Sequence, residues 1–169
     1  MRRKSFIALG VCIIMALVVI SIYHVNNSIT HKINPDRYTN HYKNDLKVYI
    51  ESSGVMNHQL VVYGWAINKG VTYKYTNYAI GTFRAVYNNN LVVLVDRQNN
   101  VYSIPTKAID RIDVSRKMND AIDYRNCGFI ARVNISSFKS GQKYRVGVIL
   151  TPLHQKQGYL IMTDKEVAL

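Results

Sequence analysis

The side chains best able to do covalent chemistry in this chain are few and widely spaced. Cys127 stands outside the apolar run that holds Cys12, and a histidine-assisted thiol nucleophile with a stabilising arginine would use the order His58, Cys127, then Arg132 or Arg145. A free cysteine at the start of a strand, however, ordinarily behaves as a small buried hydrophobe. The histidines, His24, His31, His41, His58 and His154, are scattered, with no pair at metal-ligand spacing on one element. Asp110, Asp113, Asp120 and Asp123 do cluster, yet they lack the glycine and alternation of a calcium loop, and Arg111, Arg116 and Lys117 balance their charge. Caps and turns are the expected duty of these aspartates. Glycoside hydrolysis needs two carboxylates facing one cleft, and no aromatic-rich stretch carries such a pair. The sequence therefore predicts no catalytic set, no metal site and no cofactor.

Binding chemistry is better represented. Tyr73, Tyr75 and Tyr78 lie within six residues beside Lys74 and Asn77. On a strand, Tyr73 and Tyr75 share a face able to stack on sugar rings, while Lys74 points the other way. Tyrosine gives rigid amphipathic area at low entropy cost, although aromatics are also favoured in strands simply because they pack on neighbours. Tyr73, Lys74, Tyr75 and Tyr78 are the predicted binding residues. The formal charge is +12; without Arg2, Arg3 and Lys4 there remain 19 basic against 10 acidic side chains, a net +9. Such an excess favours anionic partners such as phospholipid headgroups, phosphate-bearing wall polymers or acidic polysaccharide. The basic residues are dispersed and no nucleic-acid motif is present, so nucleic acid is not an expected partner.

These residues are carried behind an apolar run over residues 6–22, broken only by Ser21 and preceded by Arg2, Arg3 and Lys4. Its length is at the lower edge of what crosses a hydrocarbon core about 30 Å thick. The expected order is a basic start at 1–5, a single transmembrane signal anchor at 6–25, a linker at 26–44 around Asn34, Pro35 and Asp36, and a domain at 45–169. Cleavage as a signal peptide after Ser21 is the alternative. Cys12 has Val11 before it, wrong for a lipoprotein site, and no glutamate opens the apolar run as in a pilin. The N-terminal basic cluster predicts a cytoplasmic N-terminus and an extracytoplasmic domain at the cell membrane. Cys127 alone beyond the anchor leaves no internal disulfide, so the domain must be held by its core. That profile, rich in Asn, Lys, Ile and Tyr, suits a low-GC Gram-positive bacterium.

Beyond residue 45 the dominant signal is period-2 alternation. Leu46, Val48 and Ile50 form one face of a strand, and residues 60–67 are apolar on both faces, as a central strand would be. Strands are expected at 79–87 and 91–95, joined by a turn at Asn88, Asn89 and Asn90, and at 101–104 after a turn at Asn99 and Asn100. Phe129, Ala131, Val133 and Ile135 mark another strand, Tyr144, Val146, Val148 and Leu150 the next, and residues 159–163 the last. Only residues 115–121 look helical, with a capping-type start. The pattern predicts an all-β, antiparallel two-sheet fold.

Several short elements then fall in a familiar order: Tyr63-Gly64-Trp65-Ala66-Ile67, Arg111-Ile112-Asp113-Val114, Cys127-Gly128-Phe129, and Gly141-Gln142-Lys143-Tyr144-Arg145-Val146. Over residues 45–151 the chain resembles the immunoglobulin-like β-sandwich of bacterial envelope-polysaccharide proteins, including some glycosyltransferases and teichoic-acid polymerases. In that setting Trp65 would fill the core between the sheets, Gly128 and Phe129 would open a strand with the ring inward, and Gly141 would make the turn before a strand. Arg111 and Asp113 would fix a sheet-crossing loop by hydrogen bonds. The resemblance implies an accessory or binding module without catalytic residues. A sortase is a poorer match, because Ile122, Asp123, Tyr124, Arg125 and Asn126 stand where Thr-Leu-x-Thr precedes the cysteine in that family. The expected function is a non-enzymatic membrane-anchored envelope protein that binds anionic glycan, wall polymer or a partner protein. The alternative is a structural subunit of a membrane polysaccharide-assembly complex, joined to a membrane protein partner through the anchor helix.

Overall fold

The computed structural model describes residues 2–26, 30–39, 45–70, 76–77, 84–85, 88–118, 121–152 and 158–169. The apolar N-terminal run forms helix α1 (Arg2–Asn26), 25 residues long, which at 1.5 Å per residue is about 37 Å. Its side chains are described over residues 10–22, and there Ile13, Ile14, Met15, Val18, Val19 and Ile20 are all exposed, so apolar groups face outward on every side. Among the described residues no helix is long and apolar enough to cross a membrane.

The other described residues are mostly β structure: β1 (His31–Ile33), β2 (Leu46–Met56), β3 (Gln59–Asn68), β4 (Thr76–Asn77), β5 (Arg84–Ala85), β6 (Asn88–Val95), β7 (Val101–Ser103), β8 (Thr106–Ile109), then a short helix α2 (Ile112–Met118), β9 (Gly128–Asn134), β10 (Lys143–Pro152) and β11 (Tyr159–Ala168). One antiparallel sheet has the order β1-β7-β6-β10-β11 and the other β2-β3-β9-β8, with β4 and β5 forming a small separate pair. The two larger sheets bury one shared core. Leu46, Leu60, Val62 and Phe129 come from the four-stranded sheet, and Val92, Leu94, Val146 and Val148 from the five-stranded one. All eight lie at alternate positions on their strands, which is what a half-buried sheet requires.

Each sheet also has a partly covered outer face. Val93, Val95, Val101, Ile149 and Leu160 cluster behind the five-stranded sheet, with Ile33 and Tyr38 packed against them. Behind the four-stranded sheet, Ile67, Val114, Tyr124 and Cys127 form a second cluster that α2 covers. Burial on both faces explains why β3 reads as a continuous apolar run. It also moves Trp65. That ring packs with the outer cluster, not between the sheets, because Trp65 has the opposite parity to Val62 and Ala66.

Three further expectations meet a different structure. Asn88, Asn89 and Asn90 are not a turn; they extend β6 and pair with Pro152, Thr151 and Leu150. Asn90 is buried, and its amide donates to the carbonyls of Cys127 at 3.0 Å and Ala66 at 3.4 Å, so a tertiary contact outweighs the turn preference. The helix begins at Ile112, three residues before Ser115, because Ser115 accepts the backbone N–H of Tyr124 and does not cap the helix. The linker stretch 26–44 contains β1, whose residues pair with Val101, Tyr102 and Ser103 at the sheet edge. Of the strand expected at 79–87, only Arg84–Ala85 falls among the described residues. The turn at Asn99 has φ 61°, a conformation asparagine tolerates well. The β2–β3 hairpin turns through Asn57 and His58, with φ of 51° and 59°. Positive φ at both central residues is the type I′ requirement for a two-residue hairpin.

Candidate functional site

The outer face of the four-stranded sheet carries the described aromatic surface best suited to a ligand. Tyr49 and Trp65 are register partners on β2 and β3, with ring centroids 5.9 Å apart and planes tilted by 34°. Tyr49 is 56% exposed, and Trp65 and Tyr63, two residues apart and on the same face, are half-buried. The rings therefore have one side on protein and one toward solvent. Exposed cations frame them: Lys47 two residues before Tyr49, Arg132 opposite Val61, and Lys107 opposite Ile130. A flat array of rings edged by cations can stack on apolar sugar faces and hold an acidic substituent nearby.

A buried cation braces this face from below. Arg111 leads into α2 and is only 7% exposed. Its Nε and Nη2 donate to the two oxygens of Asp113 at 2.8 and 2.5 Å, and Nη2 also donates to Glu51 Oε1 at 2.6 Å. The guanidinium carbon lies 5.5 Å from the centre of the Tyr63 ring, a cation–π contact. Hydrogen bonds from Arg111 hold the Asp113 carboxyl down to about 2, and those same bonds raise the guanidinium well above its ordinary value against the opposing effect of burial.

Two local devices create the brace. The β2–β3 register slips between Ile50 and Ser52, leaving Glu51 as the extra residue of a β-bulge, and a bulge re-aims a side chain. Opposite it, a Cβ on Gly64 would run into the Tyr49 carbonyl, so glycine lets the bulged strand approach. At Gly128 a Cβ would collide with the Arg111 side chain and lie 2.9 Å from the Ile109 carbonyl oxygen. Gly128 thus provides the space that Arg111 occupies, and it opens β9 directly before the fully buried Phe129. Gly141, at φ 75°, makes the turn that precedes β10.

The remaining candidate chemistry is not brought together. Cys127 sits where β9 begins and His58 beyond where it ends, about 20 Å away along seven paired residues. Burial pushes the Cys127 thiol up to about 12, only partly opposed by the Arg111 charge, so it stays protonated. Among the described residues no group of three or more His, Cys, Asp or Glu side chains is placed to hold a metal. Tyr73, Lys74, Tyr75 and Tyr78 lie outside the described residues. Tyr49, Tyr63 and Glu51 were not singled out as site residues by sequence. Tyr49 and Tyr63 share the outward parity of Lys47 and Trp65, a signal open to a sequence reader, whereas the bulge at Glu51 has no local signature. No protein family, curated protein or solved structure matches the chain.

Proposed function

We propose that this is a non-enzymatic, single-pass envelope protein whose two-sheet domain binds an acidic glycan or wall polymer outside the membrane. The observation that carries the reading is the solvent-facing array of Tyr49, Trp65 and Tyr63, edged by Lys47, Arg132 and Lys107, in a chain with a net +9 charge beyond Lys4. Supporting the anchor are the uninterrupted helix Arg2–Asn26 and its apolar residues on all sides, since a helix hydrophobic all round is stable in lipid or in a core. The basic cluster before it favours a cytoplasmic N-terminus. The finer description of the domain as immunoglobulin-like draws support from two antiparallel sheets around one core. The outward position of Trp65 departs from the resemblance that suggested it.

The test uses the full chain in detergent, titrated with a purified acidic cell-wall polysaccharide. Tyr49→Ala removes an exposed ring, so the fold is expected to survive and affinity to fall by about threefold to tenfold. Unchanged affinity in the folded variant would remove this face from the proposal. The subunit alternative draws on the same all-round apolar helix: there, scrambling residues 6–22 should abolish co-purification with a membrane partner and leave polymer binding intact.

A further inference from the structure

We propose that a cleft on the five-stranded sheet, remote from the aromatic face, is a binding site for the phosphate groups of an anionic polymer, held by Arg97, Lys143 and Arg145. The source of that phosphate, a polymer outside the membrane, rests on the envelope reading above. The cleft has a volume of about 380 Å³ and a floor at Val95. Lys143 and Arg145 are two apart on β10, so both project on one side of the sheet, and Arg97 reaches the same cleft from the turn joining β6 to β7. Three exposed cations from two separated segments line one concavity.

The turn is built to hold Arg97 there. The Asp96 carboxylate accepts from the backbone N–H groups of Gln98 at 2.8 Å and Asn100 at 2.9 Å, and from the Asn100 amide at 2.8 Å and the Tyr102 hydroxyl at 3.4 Å. The backbone closes the loop twice, Asp96 N–H to Asn100 O and Asn99 N–H to Asp96 O, both at 3.1 Å. Burial would raise the Asp96 carboxyl, but these hydrogen bonds outweigh it and leave it lowered. The Asp96 oxygens are therefore engaged by the turn itself. The second lining carboxylate is Glu166, the register partner of Arg145 on β11. Among the described residues, no carboxylate lies within ion-pair distance of Arg97, Lys143 or Arg145. Among the described residues the Arg145 guanidinium makes only a long contact, 3.5 Å, to the Asn99 side-chain oxygen. A tetrahedral phosphate offers enough acceptor oxygens for all three cations, and arginine engages phosphate with its paired donors.

The experiment measures binding of full-length protein, in neutral detergent, to fluorescently labelled polyphosphate, to polygalacturonate, and to nanodiscs containing phosphatidylglycerol. Two doubly neutralised variants with the same charge change are compared: Lys143→Gln with Arg145→Gln in the cleft, and Arg116→Gln with Lys117→Gln on α2. The cleft pair should weaken polyphosphate binding about tenfold or more, and the α2 pair less than about twofold. Arg97→Gln, on an exposed turn residue, gives the same test without touching β10 and should weaken binding severalfold. Equal loss in both pairs would show diffuse charge attraction and overturn the cleft, leaving the envelope reading standing. Stronger binding to polygalacturonate than to polyphosphate would overturn the phosphate assignment. Binding to the nanodiscs but not to soluble polyphosphate would make the site a lipid-headgroup contact. Wild-type protein that bound neither soluble polymer nor cell-wall polysaccharide would overturn both proposals together.

Discussion

Replacing Arg111 with methionine keeps an unbranched side chain in a 7% exposed site but removes the cation between Glu51 and Asp113. The Arg111–Asp113 pair is bidentate, yet the Asp113 side chain is 66% exposed, so solvent screening limits its worth to about 1 kcal/mol. The Glu51 carboxylate is only 27% exposed, and its bond to Arg111 contributes about 1.5–2 kcal/mol. The loss at neutral pH is therefore about 2.5–3 kcal/mol, a fall in Tm of about 5–10 °C for a chain of this size. The pH dependence separates charge from packing. The folded Asp113 carboxyl sits at about 2 against an ordinary 3.8, so its stabilisation is complete above about pH 4 and is lost as pH falls through 2. Without Arg111 the Asp113 carboxyl loses the hydrogen bonds that hold it down and protonates more readily. Urea denaturation of wild type and Arg111→Met, in detergent at pH 7, 5, 3 and 2, should show a deficit that shrinks below pH 4. A deficit constant over that range would mean that Arg111 acts through packing alone, and no deficit at pH 7 would refute the brace altogether.

Gly128→Ala should disturb the same brace from its other side, because the added methyl meets Arg111 and the Ile109 carbonyl; overpacking of this kind costs about 1–3 kcal/mol, measured by chemical denaturation. In a Cys12→Ser background, the buried Cys127 should resist Ellman's reagent at pH 8 and react fully once guanidinium unfolds the chain; prompt reaction in the native state would contradict its burial. His58→Gly should raise stability by up to about 1 kcal/mol, since glycine adopts φ 59° without the steric cost a β-carbon brings, and a lower Tm would show that the imidazole makes a stabilising contact.

The inner faces of the strands were legible because alternation identifies a half-buried surface directly: Tyr144, Val146, Val148 and Leu150 occupy one face of β10 and all are buried. Where a strand is apolar on both sides, alternation cannot say which side faces the opposite sheet, and so it does not reveal that Trp65 packs on the outer cluster. Asparagine misled in a different way. At Asn99 its tolerance of positive φ decides the local structure, while at Asn90 hydrogen bonds to carbonyls 24 and 37 residues distant decide it. The contact between Glu51 and Arg111 spans 60 residues and depends on a one-residue slip opposite Gly64, so no sequence window contains it.

The edge strand β1 sets the reach of the domain. Only residues 27–30 separate the end of α1 from His31, and even fully extended that connection spans about 18 Å. For a chain held at α1, the domain would work on a short leash, within about 18 Å of the end of that helix. A load on the domain passes through three paired residues at a sheet edge, His31, Lys32 and Ile33. Peeling them off β7 would free residues 31–33 and lengthen the leash by about 10 Å, with the shared core between the sheets left intact.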